Sequence, residues 1–119
     1  MSEKIQFKLD KVNKVLFIKG VGAIGPADAE SFIKNYNNYL SSINASEYTL
    51  EFDCVGFKVA GKDRETGTDM VPMLKACIEM YKKDGFKNVI FICTGNVIMG
   101  VQLKRLGREV GLINMEVKM

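Results

Sequence analysis

Histidine is absent from this chain. Without an imidazole, no Ser–His or Cys–His nucleophilic pair can form and no histidine acts as general base, so an enzyme here would depend on carboxylates, lysines or a cofactor. The three cysteines, Cys54, Cys77 and Cys93, are odd in number and far apart, and no Cys-x-x-Cys pair occurs. With histidine also missing, neither a disulfide framework nor a zinc site is expected; reduced core thiols of a cytosolic protein are. No apolar run approaches the roughly 18–20 residues of a membrane span. The opening Met1-Ser2-Glu3-Lys4 lacks the basic-then-apolar order of a signal peptide. Cytoplasmic localisation is the expectation.

Charge of one sign is scarce as well. The net charge is +3, and Lys8, Lys34, Lys58, Lys75 and Lys87 are dispersed, so neither a nucleic-acid nor a membrane partner is expected. What remains is ordinary globular material. With 119 residues and 47% apolar content, the chain suits one domain, 1–119, with a packed core. No repeat or linker-like tract interrupts it.

Ile5, Phe7 and Leu9 alternate with Gln6 and Lys8, which predicts a half-exposed strand. A polar turn over Lys11, Asn13 and Lys14 leads to a second strand, Val15 to Ile18, as an antiparallel hairpin. Gly20, Gly22 and Gly25 then break the chain before Pro26, which opens a first helix running to about Ser42. Its apolar face is Ala29, Phe32, Ile33, Tyr36, Leu40 and Ile43. Tyr48 to Asp53 reads as a strand, with Val55, Phe57 and Val59 either extending it or following it. Gly61 to Thr68 is a polar surface loop.

Thr68 and Asp69 are placed to cap a second helix with Pro72 in its first turn and Gly85 as its stop. Its apolar face includes Met70, Met73, Leu74, Cys77, Ile78 and Tyr81. Val89 to Cys93 is an apolar run, a strand covered on both faces or in mid-sheet. A third helix, capped by Asn96 and ending near Val110, takes Ile98, Val101 and Leu106 as its apolar side. Ile113, Met115 and Val117 form a short last strand. The order β-β-α-β-α-β-α-β predicts an α/β domain: one mixed, mostly parallel sheet with helices packed on it.

This order resembles the STAS family of anti-sigma-factor antagonists, and the likeness spans nearly the whole chain. It is carried by the hairpin ending Phe17-Ile18-Lys19-Gly20, the first helix, the strand ending at Asp53, the strand Val89-Ile90-Phe91-Ile92 and the segment Leu103 to Leu112. The resemblance implies a bacterial regulatory module that binds another protein, an anti-sigma-factor kinase, and is switched by phosphorylation at the start of the second helix. Phosphate suits that place, because helix N-terminal N–H groups favour an anion and its charge remakes a docking surface. The family's usual Asp-Ser-(Ser/Thr)-Gly is not present, and no serine follows Ser46. Thr66 and Thr68, flanking Gly67, are the nearest hydroxyls.

Each candidate has two readings. Thr66 and Thr68 are either a loop residue and a helix cap or the phosphorylation switch. Lys58, Lys62, Asp63, Arg64 and Glu65 are either a solvated loop or a partner-binding loop. Lys104, Arg105 and Arg108 are either the wet side of the third helix or a ridge for an anionic ligand or acidic partner. Met70, Met73, Met80 and Met99 are core filler or the lining of a small apolar pocket. Gly20-Val21-Gly22-Ala23-Ile24-Gly25 matches G-x-G-x-x-G with Glu47 as its downstream acid, which makes a small-molecule or nucleotide-binding module the alternative function. No catalytic, cofactor-binding or metal-binding residue is assigned, no cofactor is expected, and the sequence leaves the oligomeric state open.

Overall fold

The alternating Ile5, Phe7 and Leu9 lie on strand β1 (Ile5–Asp10) of the computed structural model, which describes residues 4–58 and 69–119. Asp10 shapes the turn that follows. Its Oδ1 accepts from the backbone N–H groups of Val12 and Asn13, both at 3.0 Å, and its Oδ2 from Asn13 Nδ2 at 2.9 Å. These bonds, led by that from the Asn13 backbone, hold its carboxyl below the ordinary 3.8. Lys14, at φ 59°, completes the reversal into β2 (Val15–Ala23), which pairs antiparallel with β1 from Asp10 opposite Val15 to Ile5 opposite Gly20.

The break expected over the glycines is corrected here: β2 continues to Ala23, with a register shift between Lys19 and Val21. Gly20 is a buried strand residue, and a Cβ on it would overlap the Phe57 ring. Close approach of two strands, and not a flexible turn, accounts for glycine there. Helix α1 (Pro26–Leu40) then starts at Pro26 and stops two residues short of Ser42. It buries Ala29, Phe32 and Tyr36, whereas Ile33 is exposed. Phe7 stacks on Phe32 and Tyr39, with ring centroids 5.5 and 5.2 Å apart, which fixes α1 over the β1 side of the sheet.

A short 3₁₀ turn at Ala45–Glu47 leads into β3 (Thr49–Lys58), longer than the segment to Asp53 because Val55 and Phe57 do extend it. Helix α2 (Val71–Asp84) has Pro72 in its first turn and Gly85, at φ 76°, just past its end. It is followed by β4 (Asn88–Ile92), α3 (Val97–Val110) and β5 (Met115–Lys118). The Tyr36 hydroxyl donates to Asp84 Oδ2 at 2.7 Å and ties α1 to the end of α2.

The protein is therefore α/β, its described residues forming one five-stranded mixed sheet in the order β1-β2-β3-β4-β5 and three helices, compatible with a STAS-like α/β fold. Only β1 is antiparallel to its neighbour; β2 through β5 pair in parallel. Sequential right-handed crossovers between adjacent parallel strands put their helices on one face. Leu16, Ile18, Leu50, Phe52, Val89 and Phe91 point into that face and are buried. Phe17, Glu51, Ile90 and Ile92 on the opposite face are only partly covered. The apolar run of β4 is thus a mid-sheet strand covered on one face.

Helix α3 corrects the expected apolar side. It buries Met99, Gly100, Leu103, Leu106 and Gly107, while Ile98 is 84% and Val101 56% exposed. Its two glycines receive methionines from β5 and the residue after it: a Cβ on Gly107 would meet the tip of Met115, and one on Gly100 the tip of Met119. A low helix propensity at both positions is offset by this close helix–strand approach. Ile113, expected in the last strand, precedes it and is 97% exposed. Among the described residues, no helix is long and apolar enough to cross a membrane.

Candidate functional site

The parallel strands β2 to β5 all end on one side of the sheet, and each of the three helices begins there. Open α/β sheets bind their ligands outside the carboxyl ends of the strands, so this end is the first place to look. Its organiser is Asn96. It occupies the residue before α3, as expected, but its side chain does not cap the helix. Instead its Nδ2 donates to Cys54 O at 2.7 Å and to Phe57 O at 2.8 Å. Two carbonyls at the end of β3 are thereby satisfied, and the start of α3 is held against that strand.

Four exposed apolar residues lie at the same end of the strands. Val21 is 49% exposed, Val55 50%, Val97 62% and Ile98 84%. The β2–β3 pairing sets Val21 opposite Gly56, beside Val55, and the Asn96 bonds bring Val97 and Ile98 to the same end of β3. Sequence reasoning missed this patch because Ile98 and Val101 were assigned to the buried side of α3. The available signal was the glycine pair at 100 and 107, which marks the side of α3 that another element approaches.

Lys58, exposed at the end of β3 and opposite Ala23, borders the same end. Thr66, Thr68, Lys62, Asp63, Arg64 and Glu65 lie outside the described residues. The chain re-enters at Asp69, whose Oδ1 accepts the Val71 N–H at 3.0 Å and so serves the first turn of α2. Met70 is buried beneath it.

The glycine motif sits differently from a phosphate cradle. Gly20 and Gly22 are paired within the sheet, and the Gly25 N–H at the start of α1 already donates to Asp28 Oδ2 at 3.0 Å. That carboxylate also meets Lys4 Nζ at 3.4 Å, so a side-chain anion fills the position a phosphate would take. Glu47 lies before β3, at the opposite end of the strands from the glycines. The arrangement does not assemble the parts a dinucleotide needs.

The methionines and cysteines are structural. An apolar cavity of about 40 Å³, lined by Ile24, Phe52, Phe57, Met70, Met73 and Cys77 among others, lies under α1 and α2. It is far below the roughly 300 Å³ of a small-molecule site. Met70 and Met99 are buried, and Met73 and Met80 pack against the core as filler. All three cysteines are free. The Cys54 thiol is pushed up by its hydrogen bond with Cys93 and by burial, and burial pushes Cys77 up to about 11. Thiols held protonated in this way are poor nucleophiles. Lys104, Arg105 and Arg108 lie exposed along α3.

No protein-family model matches the chain, and no curated protein matches it significantly.

Proposed function

We propose that this chain is a regulatory protein-binding module of the STAS, anti-sigma-factor-antagonist type, acting by docking and not by catalysis. The observation that carries the reading is the apolar patch of Val21, Val55, Val97 and Ile98 at the carboxyl ends of the strands. Exposed apolar residues gathered at one functional edge of a fold mark a protein contact more than scattered ones do. The partner is a protein with an apolar contact surface, an anti-sigma-factor kinase in the family the chain resembles. The switch is Thr66 or Thr68, in the segment that joins Lys58 to Asp69. A phosphate there adds nearly two negative charges to an apolar contact, which opposes docking through desolvation. Lys58, exposed at the end of β3, is the described member of a partner-binding loop to which this reading also assigns Lys62, Asp63, Arg64 and Glu65.

Affinity purification from the native host with wild-type, Val97→Asp/Ile98→Asp and Thr66→Glu/Thr68→Glu proteins tests this reading. The expected outcome is a partner retained by the wild type and lost by both variants, each still folded by circular dichroism. Retention of the same partner by both variants would contradict it.

A further inference from the structure

A second surface lies on the other side of α3. Strand β5 ends the sheet, and its outer edge pairs with nothing among the described residues. Val89 N–H donates to Asn114 O at 3.0 Å and Cys93 N–H to Lys118 O at 2.8 Å. Backbone groups alternate in direction along a strand, so Asn114, Glu116 and Lys118 turn theirs toward β4. Met115 and Val117 turn theirs outward, leaving two N–H donors and two carbonyl acceptors along the edge.

Beside this edge runs an open groove of about 550 Å³ between α3 and β5. Its floor is apolar, made by Gly107, Leu112, Met115 and Val117, and its rim is basic, made by Lys104 and Arg108. Among the described residues, no acidic one lines it. Glu109 is turned toward α2, where it pairs with Lys75 at 3.7 Å, and Glu116 lies on the opposite sheet face from Met115 and Val117.

We propose that the β5 edge accepts an extended acidic segment of a partner protein as a sixth strand. The segment's backbone pairs with Met115 and Val117. Its alternate side chains enter the groove, where glutamate methylenes cover the apolar floor and carboxylates reach Lys104 and Arg108. This is β-strand addition with electrostatic selection. Charge decides against a second copy of this chain, because two β5 edges joined about a twofold axis would bring Lys104 and Arg108 of each copy against the other's. The site is separate from the apolar patch at the strand ends, so either one can fail without the other.

The test is an amide NMR titration of the full chain with a blocked peptide of about seven residues alternating glutamate with valine. Saturable shifts and slowed exchange at the Met115 and Val117 amides are expected. Lys104→Glu/Arg108→Glu, both on exposed positions, should weaken binding at least about tenfold, as should replacing the peptide's glutamates by lysine. Val117→Pro, which deletes an outward donor and leaves the β4–β5 ladder intact, should abolish it. The proposal is overturned by unshifted Met115 and Val117 amides at millimolar peptide, by binding indifferent to the charge reversal, or by shifts there that follow protein concentration alone.

Discussion

Asn96 shows how one side chain positions a surface. Its amide donates two hydrogen bonds, to Cys54 O and Phe57 O, and both residues are buried, so no water replaces a lost donor easily. Asn96→Ala should therefore cost about 1–3 kcal/mol in chemical denaturation, the range for leaving buried polar groups unpaired. Asn96→Asp should cost at least as much, because it presents an acceptor to two acceptors. A loss under about 0.5 kcal/mol for both would mean that the latch does not hold α3. The sequence pointed to Asn96 as a helix cap, the common use of asparagine before a helix. What it does is a long-range contact across about forty residues, which no local pattern encodes.

At the scale of elements, the sequence was legible wherever one periodicity dominated. The alternation of Ile5 to Leu9, the proline start of α1 and the glycine stop of α2 each reflect a local cause, and each element stands where that cause puts it. The failures have a common origin in packing between elements. The glycines of β2 looked like a break, but Gly20 answers to the Phe57 ring and Gly22 and Ala23 still pair with β3. The apolar residues of α3 form two stripes, and only the one bearing Gly100 and Gly107 fits the approach of Met115 and Met119. The other stripe is left in solvent with Val97, Ile98 and Val101, so apolar content alone could not say which was core. Because Ile98 is so exposed, the binding-deficient Val97→Asp/Ile98→Asp variant should stay within about 0.5 kcal/mol of wild-type stability, which thermal melting will read. A large loss would return these residues to the core.

Four buried or half-buried groups, Tyr36, Tyr81, Cys54 and Cys77, are held neutral, whereas the bond from Cys54 pulls the Cys93 thiol down. Burial pushes the hydroxyls of Tyr36 and Tyr81 well above 10.0, with the Asp84 bond adding to the effect at Tyr36. Cys54 is pushed above 9.0 through its bond with Cys93 and burial, and Cys77 is pushed up to about 11 by burial. These are acids whose folded values exceed their unfolded ones. Their stabilising contribution is complete below the unfolded values and is lost as pH rises through the folded ones. Stability should thus begin to fall above pH 9.0 as thiols ionise in the unfolded chain, and more steeply above 10.0 as the tyrosines follow. Each group contributes a slope of about 1.4 kcal/mol per pH unit. Urea midpoints from pH 8 to pH 11 check this, and a flat profile would contradict it. The same one-sided core, with three helices on a single face, leaves the strand ends and the β5 edge as surfaces for partners.

The regulatory reading depends most on the segment between Lys58 and Asp69, so the decisive measurement is mass-spectrometric mapping of phosphate on the protein purified from its own host. Phosphate on Thr66 or Thr68 is the result the account predicts, since these are the hydroxyls nearest in sequence to the start of α2. Unmodified Thr66 and Thr68, in preparations where known phosphoproteins are labelled, would contradict the switch.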